Sequence, residues 1–163
     1  MSNPTLIMLV GVPASGKSTW INENVDFQEC TVLSTDDYIQ EIATKSGKTY
    51  NEVFQARIKE ATKWMNDLAK YSFFNDRNVV WDQTNLTAKS RKAKLEMVPE
   101  HYKKIAVYFE APNAEEHKRR LDSRPGKTIP AHILKNMIES IEIPSHDEGF
   151  DNVLVYKEVE NEV

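Results

Sequence analysis

At 163 residues, with 40% hydrophobic and 28% charged side chains, the chain is ordinary for a globular protein, which excludes disordered and fibrous classes; its length is expected to hold a single domain. The net charge of −4 argues against a protein that coats long nucleic acid with its whole surface, and leaves only a local basic groove for that role. No apolar run approaches the roughly 20 residues of a membrane span, the start Met1-Ser2-Asn3-Pro4 lacks the basic-then-apolar layout of a signal peptide, and the lone Cys30 reads as a small buried thiol, so no membrane partner and a cytoplasmic setting (host cytoplasm if the gene is phage-borne) are expected.

The first element is a strand over Thr5–Val10, and it empties into Gly11-Val12-Pro13-Ala14-Ser15-Gly16-Lys17-Ser18, the spacing of a phosphate-binding loop between a strand and a helix. Glycine is wanted at both ends: Gly11 to leave the strand in a tight turn, Gly16 so that backbone approaches phosphate closely. Inward backbone N–H groups form an anion nest, and a helix from about Lys17 adds its positive dipole end. Lys17 reaches the outer phosphates and Ser18 offers a hydroxyl to Mg²⁺. A nucleoside triphosphate with Mg²⁺ is therefore the expected ligand, with Gly11, Pro13, Ala14, Ser15, Gly16, Lys17, Ser18 and Thr19 as its loop contacts.

Further strands are expected over 31–33, 78–81, 105–109 and 153–156, alternating with helices, which implies a parallel sheet covered on both faces. Between the second and third strands, Phe54, Ile58, Ala61, Met65 and Leu68 recur at helical spacing and read as one core-packing stripe. Tyr38, Trp64 and Trp81 read as core or rim packing. The basic run Lys89, Arg91, Lys92, Lys94 reads as a solvated helix face. Asn113-Ala-Glu-Glu116 has the spacing of a capping box, and Pro130 suits the first turn of a helix whose Ile133, Met137, Ile138 and Ile141 are expected to be buried. Between those helices, 122–129 is short, polar and expected to be mobile.

In open α/β sheets ligands gather at the carboxyl ends of strands, and polar residues cluster there in this sequence: Ser34-Thr35-Asp36-Asp37-Tyr38 after the second strand, Asp82-Gln83-Thr84-Asn85 after the third. Phosphoryl transfer needs positioning, charge cancellation and something to orient the nucleophile. One of Asp36 and Asp37 is a candidate general base, although aspartates also favour the start of a helix. Asp82 resembles a strand-terminal acid that orients metal-bound water. Arg120 and Arg124 bracket the start of the mobile segment, where a lid arginine would neutralise charge on the transferred group.

Gly11 to Trp20, Asp36-Asp37-Tyr38, Asp82-Gln-Thr-Asn-Leu86, and Arg124 followed by Gly126-Lys127-Thr128-Ile129-Pro130 together resemble the kinase domain of bacteriophage T4-type 5′-hydroxyl polynucleotide kinases. The resemblance implies an α/β P-loop kinase over 1–163, with a parallel sheet of about five strands, helices on both faces and a short arginine-bearing lid. It implies Asp36 as general base, Lys17 and Ser18 as phosphate and metal contacts, Arg124 as the lid arginine, and Asp82 to Asn85, with Thr84 and Asn85 among them, as the segment near the acceptor; by position alone, Arg120 is expected as a further nucleotide contact, Asp82 at Mg²⁺ and Asp37 beside the acceptor. The expected activity is ATP-dependent phosphorylation of a 5′-hydroxyl oligonucleotide, without the phosphatase activity that some relatives carry. Ile39 stands where the family has an arginine that grips the acceptor strand. The alternatives are a small-molecule or nucleoside kinase, a kinase of modified bases in DNA, and a non-catalytic nucleotide-dependent RNA-binding module.

Overall fold

Residues 3–157 are described by a computed structural model; Met1 and Ser2, part of the N-terminal reading above, lie outside the described residues. Five strands, β1 Thr5–Val10, β2 Cys30–Leu33, β3 Asn78–Trp81, β4 Lys103–Phe109 and β5 Asn152–Tyr156, form one sheet in the order β2-β3-β1-β4-β5, with every pairing parallel. Parallel neighbours need crossover connections, and the helices supply them: α1 Lys17–Asn24, α2 Thr35–Ser46, α3 Tyr50–Phe74, α4 Ala88–Leu95, α5 Ala114–Asp122 and α6 Ala131–Ser140. The alternation expected from the sequence is thus present, each strand within two residues of its predicted bounds.

Side chains of β1 alternate between faces, as a strand requires. Leu6, Met8 and Val10 join Met65, Ala69 and Phe73 of α3 and Trp81 of β3, while Leu9 packs with Ile21 of α1, Val80, Val107 and Phe109 on the other face. Burying each large side chain of this kind contributes about 1.5–3 kcal/mol. A third cluster, Ile39, Ala43, Tyr50, Val53 and Ala61, joins α2 to the start of α3.

The helix starts are set by side-chain caps that place the chemistry. Ser34 caps α2 by accepting from the Asp37 amide at 3.3 Å, so Asp36 and Asp37 occupy its first turn one step beyond β2. The helix-start reading of the acidic pair is thus met, since both residues lie in the first turn of α2. Asn113 caps α5 through the Glu116 amide at 2.9 Å, but the reciprocal half of the expected capping box is not made, because the Glu116 carboxylate turns to Arg119 and Arg120.

Candidate functional site

Strand order reverses about β1, whose neighbours are β3 and β4, and the loops after β1, β2 and β3 meet at the resulting crevice. The loop after β1 is held from behind. The Gly11 amide donates to the Thr84 carbonyl at 3.0 Å, and His117, buried on α5, donates from Nε2 to the Pro13 carbonyl at 2.8 Å. Gly16 caps α1 at φ 105°, and Ala14 also lies in the left-handed region at φ 60°, a costly conformation of the kind that collects at functional loops. Gly11 is required for a reason other than the expected tight turn, since it is absent from the positive-φ positions: a Cβ there would lie 2.7 Å from Ser15 Oγ and 2.9 Å from Phe109 Cβ.

Lys17 donates to the Gly11 carbonyl at 2.8 Å, and burial pulls its ammonium down to about 8 against the opposing pull of Asp82 and Asp36. An ammonium whose desolvation outweighs its carboxylate neighbours fits a further anion. Two buried polar atoms point the same way: Ser15 Oγ in the loop and Arg124 Nη1 have no hydrogen-bond partner among the described residues. Arg120 donates to Glu116 at 2.9 Å and to the Ala14 carbonyl at 3.3 Å, and with Thr19, Glu23 and Tyr156 it lines an outer recess of about 730 Å³ beside the loop.

On the other side of Lys17 opens a cleft of about 690 Å³, and Asp36, Asp37, Asp82, Thr84, Arg124 and Lys127 all line it. Asp36 accepts from the Tyr50 hydroxyl at 2.6 Å and pairs with Lys127 at 3.0 Å. Burial acts to raise its carboxyl, but Lys127, the Tyr50 hydrogen bond and Lys17 together hold it below the ordinary carboxylate value. Asp37 shifts the opposite way, raised by burial and by Asp36. Burial pushes Asp82 up to about 6, with Lys17 opposing and the other two aspartates adding to the rise.

The donor set suits Mg²⁺. The Ser18 hydroxyl and the Asp82 carboxylate are hard oxygen donors on one cleft, and the rise of Asp82 despite Lys17 leaves room there for a further cation. Among the described residues no group of three or more His, Cys, Asp or Glu is placed to hold a metal alone, so phosphate oxygens and water would complete the shell.

Four expectations are corrected by the structure. Asn85, expected beside the acceptor, is buried at φ 48° and donates to the Leu9 carbonyl at 2.8 Å while accepting from Lys94; it pins the β3 loop to β1. The basic run on α4 is not a solvated face as a whole, because Arg91 is fully buried in a paired bond to Glu148 at 2.7 and 3.0 Å and donates to the Asn85 carbonyl at 2.8 Å. The apolar side of α6 is not core: none of its residues is buried, and Ile133 and Met137 line the cleft. The first turns of the α3 stripe depart likewise, since Phe54 and Ile58 line the cleft while Ala61 and Met65 are in the core. Ile39 is fully buried in the α2–α3 cluster and is out of an acceptor's reach.

Tyr50 and His117 carry roles that sequence reasoning did not find. Both act on residues far off in the chain, 14 and 104 positions away, and only the Tyr50 position beside a helix cap hints at either.

The sequence pattern of a family described as an AAA domain matches residues 6–144. An L-seryl-tRNA(Sec) kinase of Methanococcus maripaludis is 27% identical over 157 residues, covering 90% of this chain and 56% of that protein, so the chain spans about half the length of this curated relative. In a solved Pnkp1/Rnl/Hen1 RNA repair complex, one chain superimposes with a TM-score of 0.65 at 24% identity, over 93% of this chain and 47% of that one. A gluconokinase of Sinorhizobium meliloti superimposes with a TM-score of 0.56 at 17% identity, over 95% of this chain and 83% of that one. The two structural likenesses speak to fold, and the fold is that of the P-loop kinases.

Proposed function

The chain belongs to the AAA domain family, and on that premise we propose that it is an ATP-dependent kinase that phosphorylates the 5′-hydroxyl of DNA or RNA. The observation that carries this reading is the sharing of one cleft by Lys17, Arg124 and Asp36: two cations for the phosphates, and a half-exposed carboxylate facing the same space. Lys17, the loop amides and Arg124 hold and neutralise the transferred group. Asp36 orients the acceptor hydroxyl and receives its proton, and its low pKa suits a loose transition state in which the proton leaves late. Bound at Ser18 and Asp82, Mg²⁺ would supply Lewis-acid charge neutralisation.

Acceptor identity draws support from the apolar side chains Phe54, Ile58, Ile133 and Met137 that line the same cleft as Asp36, which suit a nucleoside better than a free polyhydroxylated sugar. The RNA-linked proteins among the comparisons, a seryl-tRNA kinase and a member of an RNA repair complex, favour a hydroxyl carried on RNA, of which the 5′ end is one kind. A small-molecule or nucleoside acceptor is the second reading, favoured by Ile39, whose burial removes the expected grip on a strand.

The test is transfer from γ-labelled ATP to 5′-hydroxyl DNA and RNA oligonucleotides, to nucleosides and to seryl-tRNA in parallel. Label on the oligonucleotides supports the proposal, whereas inert oligonucleotides with a labelled nucleoside or tRNA replace it. Asp36→Asn is expected to keep ATP affinity and abolish transfer. Undiminished transfer by that variant removes Asp36 as the base.

A further inference from the structure

The carboxylate assigned above to the acceptor hydroxyl is already engaged. Tyr50 takes Oδ1 at 2.6 Å, and Lys127 sits on Oδ2 at 3.0 Å with its ammonium 4.4 Å from the centre of the Tyr50 ring. The oxygen left for an acceptor is the one the lysine covers.

The placement of Lys127 is built rather than incidental. Its two neighbours are clasped to the start of α3: the Gly126 carbonyl accepts from the Asn51 amide at 3.0 Å, and the Asn51 side chain donates to Thr128 Oγ1 at 2.8 Å. Gly126 adopts φ +69°, and a Cβ on it would lie 2.6 Å from Thr49 Cβ, so the clasp needs glycine twice over, for its backbone and for its space. Thr49-Tyr50-Asn51 thus faces Gly126-Lys127-Thr128, the central pair of the two triplets meeting over Asp36.

The ion pair is also easily broken. The Asp36 side chain is 54% exposed, so water screens the carboxylate end of the pair, and with that of Lys127 at 24% the attraction is weaker than that of a fully buried pair. A ligand that also gains contacts along the cleft can spend that binding on displacing the lysine; a lone water molecule cannot.

We propose that Lys127 is a stopper on Asp36 that suppresses phosphoryl transfer to water until an acceptor hydroxyl displaces it. The inference rests on the reading of Asp36 as the acceptor base. In the suppressed side reaction the bond from the γ phosphorus to the β–γ bridging oxygen breaks and a bond to the water oxygen forms. ADP leaves with the bridging oxygen, and a water proton passes to Asp36. With the ammonium in place the carboxylate is neutralised and its free oxygen covered, so that water is not oriented.

The experiment measures ADP release from Mg-ATP, with and without a 5′-hydroxyl oligonucleotide, for the wild type, Lys127→Met, Lys127→Arg, Asp36→Asn and the Asp36→Asn/Lys127→Met double variant. Methionine keeps an unbranched apolar stem for the Tyr50 ring and removes the charge. Acceptor-free ADP release is expected to rise about tenfold in Lys127→Met, a modest share of what a general base supplies. It should return to the wild-type rate in Lys127→Arg and fall to or below it in the double variant. A general loss of structure would lower the rate with and without acceptor, so a rise in the first that needs Asp36 marks an unstoppered base. A Lys127→Met rate no higher than wild type, or a rise that survives Asp36→Asn, overturns the stopper. Continued oligonucleotide phosphorylation by Asp36→Asn alone instead overturns the assignment of the base beneath it.

Discussion

The two sides of Lys17 are built on different plans. The donor side comes from one contiguous stretch, 11–18, in which backbone amides and two left-handed residues do most of the shaping, with His117 and Thr84 as props from behind. The side proposed for the acceptor is assembled from side chains of α2, α3, α6 and the loop before α6, held together by single hydrogen bonds and ion pairs such as Asp36–Tyr50 and Asp36–Lys127. Backbone construction fixes which ligand binds and tolerates little change. Side-chain construction leaves the choice of partner open to substitution at scattered positions.

Variants on each side sharpen that contrast. The largest effect is expected on the donor side: Lys17→Ala should lower turnover by about 10³ or more, the scale of losing a preorganised charge at the transferred group. It should at the same time leave the ligand-free protein no less stable, because a buried ammonium has gone; steady-state kinetics and thermal melts together check this. Arg91→Ala leaves Glu148 without its buried partner and is expected to destabilise the fold by about 3–5 kcal/mol, read by urea denaturation. On the acceptor side Tyr50→Phe should lower kcat by roughly tenfold or less while leaving the KM for ATP unchanged, since one hydrogen bond to a charged group is worth about 1.5–3 kcal/mol in total and only part of it acts on turnover. Loss of that donor raises the Asp36 pKa, so the acidic limb of the pH–rate profile should move to higher pH.

The smallest effect concerns stability without ligand. Asp82 has a folded pKa of about 6, above its unfolded value, so between those two values the folded state binds more protons and stability falls as pH rises. In the presence of a chelator, Asp82→Asn should flatten that slope and raise Tm near neutral pH by about 2–4 °C, the response of a domain of this size to roughly 1 kcal/mol.

The donor side was legible because its chemistry is local: glycine spacing after an apolar strand names the loop without any tertiary contact. The parallel sheet and the acids after β2 and β3 followed from alternation, whereas the strand order β2-β3-β1-β4-β5 did not, because alternation does not say which strands become neighbours. Periodicity misled at the cleft, where it marks an apolar face without saying what covers it. Ile133 and Met137 of α6 have the spacing of core residues and line the cleft, and Phe54 and Ile58 do the same on α3. Composition misled on α4, because a lysine- and arginine-rich octapeptide looks solvated until a distant Glu148 is brought to Arg91. Asn85 has the polarity of a binding residue, and its 2.8 Å bond to the Leu9 carbonyl, across 76 positions, is invisible before folding.

Helix α6 contributes no buried side chain, and its far end is tied down by a main-chain bond from Glu142 to the Leu86 carbonyl at 2.8 Å. Its ten residues are therefore largely uncoupled from the free energy of folding, since exposed positions seldom change stability by more than about 0.5 kcal/mol. Such a segment behaves as an exchangeable cassette: evolution or an engineer can rewrite its inward positions to admit a different molecule while the sheet and the phosphate loop carry on unchanged.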